Sequence, residues 1–140
     1  MPNKQLIQNK INKIAGYMKE LEPILELEVG KIMGDYTKLR TLERDFQLIV
    51  DTVIDINTHL ISTENLRAPE DATETFQILG EAKILPAEFV EKFSPVAGMR
   101  NIVVHDYEKM DIEKMINDIK KDIDQFGEYA LHVDNFISEK

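Results

Sequence analysis

Cysteine is absent from this 140-residue chain. That excludes a disulfide framework, a thiolate metal site and a cysteine nucleophile. Tryptophan is absent too. No apolar run approaches the roughly 20 residues that a membrane-spanning helix needs. The opening Met1-Pro2-Asn3-Lys4-Gln5 lacks the apolar core of a secretion signal, so the expectation is a cytoplasmic protein with no membrane segment. Positive charge is scarce: 17 Lys and Arg stand against 26 Asp and Glu, a formal net charge of −9. Binding nucleic acid over the whole surface is therefore excluded, and any such contact needs a local basic patch. The length matches one domain, 1–140, with enough buried surface for one core and little left for a deep internal pocket.

Helical periodicity is what the sequence has in abundance. Ile7, Ile11, Ile14, Met18, Leu21 and Leu25 step by fours and threes. Leu39, Leu42, Phe46, Ile49, Val53, Ile56 and Leu60 do the same, as do Ile112, Met115, Ile119, Ile123, Phe126, Ala130, Val133 and Ile137. Such steps place each set on one stripe of a helix. Punctuation separates the stripes. Gly30, Gly34 and Asp35 close the first, with Asp35 or Thr37 as the next N-cap. Pro23 is expected to kink or end the first helix. Pro69 breaks the second stripe, and Asp71 with Glu74 resembles a capping box opening a short helix to about Lys83. Pro86 suits the first turn of the following helix. Pro95 and Gly98 predict a bend within it, and Asp111 an N-cap for the last. The expected fold is all-α, an antiparallel bundle of four to five helices around one apolar seam.

One segment departs from this grammar: Gly98-Met99-Arg100-Asn101-Ile102-Val103-Val104-His105-Asp106-Tyr107. It holds one of only four arginines and one of only three histidines. At about 100° per residue, Arg100 and Tyr107 share a helix face, and so do Asn101 and His105. Arg100 and His105 stand about 140° apart on a straight helix. They meet if the helix ends or unwinds near His105, or if two copies of the segment face each other across a two-fold axis. A guanidinium is a fixed positive fork suited to phosphate. An imidazole exchanges a proton near neutrality. With Asn101 to orient a hydroxyl or the ring, the set suffices for RNA cleavage without a metal or cofactor, through the ribose 2′-hydroxyl. No metal-ligand set is apparent, because His59, His105 and His132 are far apart in sequence. His59 and His132 read as surface or satisfied core residues.

Arg-Asn-x-x-x-His-x-Tyr, with Gly two positions before the Arg, resembles the signature of the HEPN superfamily, and within it the HepT-like toxins of HEPN/MNT toxin–antitoxin systems. Arg100, Asn101, His105 and Tyr107 fall on that motif without a gap. Arg40-x-x-x-Arg44-Asp45-Phe46, Ile56-Asn57-x-His59-Leu60 and Phe76-x-x-Leu79 before Leu85-Pro86 are similar to the same layout, over roughly residues 5–137. The resemblance implies a homodimeric helical bundle whose two Arg-x4-His motifs line a cleft between subunits. It implies metal-independent endoribonuclease activity with Arg100, Asn101 and His105 as catalytic residues. It further implies a nucleotidyltransferase antitoxin of the MNT type that attaches AMP to Tyr107 and so blocks the cleft. Arg40 and Arg44, with Lys31 and Lys38 nearby, are the candidates for RNA contacts. The acidic balance, with Asp106, Glu108 and Asp111 beside the motif, supports an alternative: a non-catalytic, nucleotide-binding or accessory subunit of a minimal nucleotidyltransferase. In a third reading Arg100 and His105 only cap a helix.

Overall fold

A computed structural model gives the fold. It describes residues 2–105 and 111–140, with side chains for all of these except Ala97 and residues 100–105. Seven helical segments follow one another: α1 (Lys4–Leu25), α2 (Val29–Met33), α3 (Tyr36–Thr63), α4 (Ala72–Glu81), α5 (Ala87–His105), α6 (Ile112–Asp122) and α7 (Asp124–Ser138). No strand occurs among the described residues. The all-helical bundle agrees with the periodicity. The count exceeds four to five for two reasons. The Gly30–Gly34 connection winds into the one-turn α2, which buries Ile32. The last stripe divides at Ile123, where Phe126 N–H bonds the Ile123 carbonyl and tightens the turn.

The caps act as their chemistry dictates. Asn3, Asp35, Asp71 and Asp111 each accept a backbone N–H three residues on with a side-chain oxygen, satisfying a donor that the first helical turn leaves orphaned. Asp35, not Thr37, starts α3. Pro23 lies inside α1, which ends two residues later. α4 stops at Glu81, short of Lys83, because Lys83 adopts a left-handed φ of 61°. Ile84 N–H then reaches back to the Leu79 carbonyl at 3.0 Å. Asn65, at φ 56°, ends α3 the same way, with Leu66 N–H on the Ile61 carbonyl. Arg67 clamps this connection onto α4 by bonding both Glu74 and Glu81.

Every residue of the Leu39-to-Leu60 stripe is buried, and with Ile7, Ile14 and Leu21 of α1 it forms one core. Ladders of rings fix the helix directions. Phe89 and Phe93 of α5 lie against His132, and against Tyr129 and Phe126, of α7. Phe126 in turn meets Phe46 of α3. Partner numbers on α7 fall as those on α5 rise, so α5 runs antiparallel to α7. The Tyr129 hydroxyl lies 2.5 Å from Asn57 Oδ1 and 3.2 Å from the Val53 carbonyl. α7 therefore runs with α3, and α5 runs back toward the N-terminal end of α3. The buried Asn57 also donates to Thr75 of α4 at 3.1 Å. This polar network joins α3, α4 and α7 inside an otherwise apolar core.

Candidate functional site

Arg100, Asn101 and His105 all stand on α5, which runs unbroken through Pro95 and Gly98 to His105. Phe89, Phe93 and Val96 bury its first half in the core, and Met99 packs against it. From Phe93 the helix climbs about 10 Å to Arg100 and about 18 Å to His105, at ~1.5 Å per residue. Because α5 persists to His105, it neither ends nor unwinds between the two motif residues, and helical spacing sets Arg100 and His105 about 140° apart around its axis. Tyr107 lies outside the described residues. Gly98 is exposed, and a Cβ added there would meet nothing within 4 Å. Packing within one subunit thus gives no reason for glycine two positions before Arg100.

The ring ladder brings the second candidate group to the same end of the bundle. Arg40 and Arg44 lie on the first half of α3, the end toward which α5 runs. Arg44 is exposed. Arg40 is half-buried and held in place: its Nη1 donates to both Glu43 oxygens, at 2.7 and 3.0 Å, while its guanidinium carbon sits 4.7 Å from the centre of the Tyr36 ring. Burial pushes the Glu43 carboxyl up from its ordinary value, and the Arg40 charge opposes that shift. Lys31 is exposed, and Lys38 is paired with Asp35 at 3.0 Å.

On the flank of α3 opposite Tyr36, Arg40 and Glu43, Asp45 is buried, and its Oδ2 has no hydrogen-bond partner. Its pKa is pushed up to about 6, first by desolvation, then by the carboxyl of Glu20 on α1, against a lowering influence of Arg44. Of the two other histidines, His59 accepts the Asn3 N–H at 3.1 Å, and half-buried His132 lies 3.4 Å from Glu128 and 5.0 Å from the Phe89 ring. Both behave as the satisfied residues expected.

Sequence reasoning passed over Tyr36 and Tyr129, and quoted Asp45 and Asn57 only as part of the family layout, with no role. Tyr36 had a signal: a lone aromatic at a helix start, four residues before an arginine and outside every apolar stripe. Asp45 also had one, as an acid beside the core position Phe46.

Comparisons with known proteins bear on the family and the fold. The sequence model of the family described as "Ribonuclease HepT-like" matches residues 14–133. A curated relative, "tRNA nuclease HepT" of Aphanizomenon flos-aquae (strain 2012/KM1/D3), is 26% identical over 134 residues, covering 94% of this chain and 90% of the relative. "mRNA nuclease HepT" of Shewanella oneidensis is 21% identical, covering 89% of this chain and 92% of its own. Among solved structures, a tri-AMPylated Shewanella oneidensis HEPN toxin in complex with MNT antitoxin superposes with a TM-score of 0.83 at 20% identity, over 95% of this chain and 98% of that one.

Proposed function

Because the chain belongs to the HepT-like ribonuclease family, we propose that it is a metal-independent endoribonuclease toxin, a single cytoplasmic HEPN-like domain acting as a homodimer. Arg100 stabilises charge on the phosphate, His105 moves the proton, and Asn101 orients the reacting hydroxyl or the imidazole. The observation that carries this reading is the placement of Arg100 and His105 on one continuous helix, about 140° apart. One copy of that helix cannot easily bring both groups to one phosphodiester, whereas two copies facing across a two-fold axis can. Arg100 of one subunit then pairs with His105 of the other in a groove between them.

The chemistry follows from these groups. His105 takes the proton of a ribose 2′-hydroxyl, and the 2′-oxygen attacks the adjacent phosphorus. The bond from phosphorus to the 5′-oxygen breaks, leaving a 2′,3′-cyclic phosphate. The 5′-oxygen leaves with a proton from an imidazolium or from water. Arg100 faces the phosphoryl oxygens, whose charge grows in the transition state. DNA lacks the nucleophile and is not cut.

The second partner is an MNT-type nucleotidyltransferase antitoxin that attaches AMP to Tyr107. Bulk and negative charge two residues beyond His105 repel RNA phosphates from the groove. The relatives' printed descriptions, tRNA and mRNA nucleases and an AMPylated toxin bound to MNT antitoxin, support both halves of the proposal. Arg40 and Arg44 serve as RNA contacts at the same end of the bundle. The net charge of −9 favours one rival, an accessory subunit that holds nucleotide or the transferase and cuts nothing.

Incubating total cellular RNA with the protein in excess chelator separates the two. The nuclease reading expects cleavage that persists without divalent metal and falls at least about a hundredfold in His105→Ala and Arg100→Ala, the scale of losing an acid–base group. No cleavage by the parent protein, or equal cleavage by parent and variants, sinks it.

A further inference from the structure

Tyr36 is the most exposed large hydrophobic side chain among the described residues, 70% accessible at the first position of α3. An aromatic ring left in water at a helix start contributes little to folding. This one is nonetheless organised. The Arg40 guanidinium is stacked over it at 4.7 Å, and Arg40 is fixed by a two-oxygen ion pair to Glu43, which is only 8% exposed. Keeping a carboxylate at a buried position to hold an arginine over an exposed ring costs desolvation energy. The result is an exposed flat ring with one cation already set against it.

Its place in the fold relates it to the motif. At about 100° per residue, Tyr36, Arg40 and Glu43 occupy a strip about 60° wide on α3. Asn57, which bonds Thr75 of α4, borders that strip. Asp45, which meets Glu20 of α1, stands on the opposite side of the helix. The strip therefore lies on the flank where α4 and α5 pack, away from α1. Along the bundle axis, Tyr36 lies about 15 Å before Phe46, and His105 lies about 18 Å past Phe93, in the same direction from the shared ring cluster at ~1.5 Å per residue. Ring and motif reach the same end of the bundle.

We propose that Tyr36, positioned by Arg40 and Glu43, is a stacking subsite for an unpaired nucleobase of single-stranded RNA next to the cleaved phosphate. Every base offers a flat face to such a ring, so the subsite tolerates sequence but needs an unstacked strand. Arg40 adds positive charge beside the same nucleotide. Arg40 and Glu43 act as positioning residues, not as catalytic ones. The inference rests on the nuclease reading and narrows its substrate to strands or loops with splayed bases.

The test is binding of a fluorescent single-stranded oligouridylate, and of a duplex of matched length, to the His105→Ala protein, so that the probe stays intact. Adding Tyr36→Ala weakens single-strand binding about five- to a hundredfold, the loss of one base–aromatic stack, with little change for the duplex. Adding Tyr36→Phe keeps the ring and stays within about twofold of the parent. Unchanged single-strand binding in the alanine variant overturns the subsite and leaves the nuclease reading standing. An equal loss for duplex and single strand overturns it as well. So does conversion of the alanine variant to monomers, because the ring then belongs to a subunit contact. Failure of the His105→Ala parent to bind either probe, together with no cleavage by the unmodified protein, removes the nuclease reading itself.

Discussion

A buried carboxyl destabilises a fold where it is ionised, the more so beside a second carboxyl, and buried Asp45 stands next to the exposed Glu20 in that relation. The folded pKa of Asp45, about 6, lies above its ordinary value of 3.8. The folded state therefore binds the proton more tightly than the unfolded chain. The stabilisation is full below about pH 4 and is lost as pH rises through 6. A shift of this size corresponds to roughly 2–3 kcal/mol. Asp45→Asn is predicted to exceed the parent in urea stability by about that amount at pH 7.5, with the gap closing by pH 4. A gap that does not vary with pH refutes the raised pKa of Asp45. Tyr129 makes the opposite kind of contribution. Its hydroxyl is buried against Asn57 and Val53, and burial holds its pKa well above the ordinary value. Tyr129→Phe leaves Asn57 Oδ1 without its donor and is expected to cost about 1–3 kcal/mol in a denaturant titration. Periodicity marks which positions are buried, but not which buried polar groups find each other across helices.

Helix boundaries were legible where a single residue's chemistry decides them. Asp35, Asp71 and Asp111 cap as read. The α4 terminus was misplaced because it depends on Lys83 entering the left-handed region, which lysine adopts at a cost. Lys83→Gly removes that cost, and a gain of about 1 kcal/mol is expected from thermal or urea unfolding. The stripe from Ile112 onward was read as one helix because Ile123 carries no breaker, yet the ladder tightens there. Two glycines allow a contrast between elements. A Cβ at Gly80 comes within 3.1 Å of Val90 Cγ2, so Gly80→Ala is expected to strain the α4–α5 packing by about 1 kcal/mol or more. Gly98 has open space around it, so Gly98→Ala should stabilise the isolated helix by about 0.5–1 kcal/mol. A loss of dimer in Gly98→Ala, read by light scattering, would show that the partner helix occupies that space.

For the whole molecule, periodicity and capping were enough to expect an all-helical bundle, and the Arg100-to-His105 segment stood out as the part that packing did not explain. The sequence left two ways for Arg100 and His105 to meet, an unwound helix or two facing copies, and the continuous α5 favours the second. The 140° between Arg100 and His105 on that helix is what the proposed two-chain site accounts for. The acidic surface also has a place in this picture. On the proposed reading, and with net charge −9, RNA is held only at the end of the bundle where Arg40, Arg44 and the motif gather. RNA cleavage is therefore expected to fall steeply as salt rises. The decisive measurement is subunit complementation. Arg100→Ala and His105→Ala proteins, each inactive alone, are unfolded together, refolded as a mixture and assayed on RNA. Random pairing makes about half the dimers mixed, each with one intact Arg100–His105 pair, so the mixture should recover about a quarter of the parent's activity. A mixture as inactive as either variant, under conditions where the refolded parent cuts RNA, would mean that the two residues do not meet across the subunit boundary.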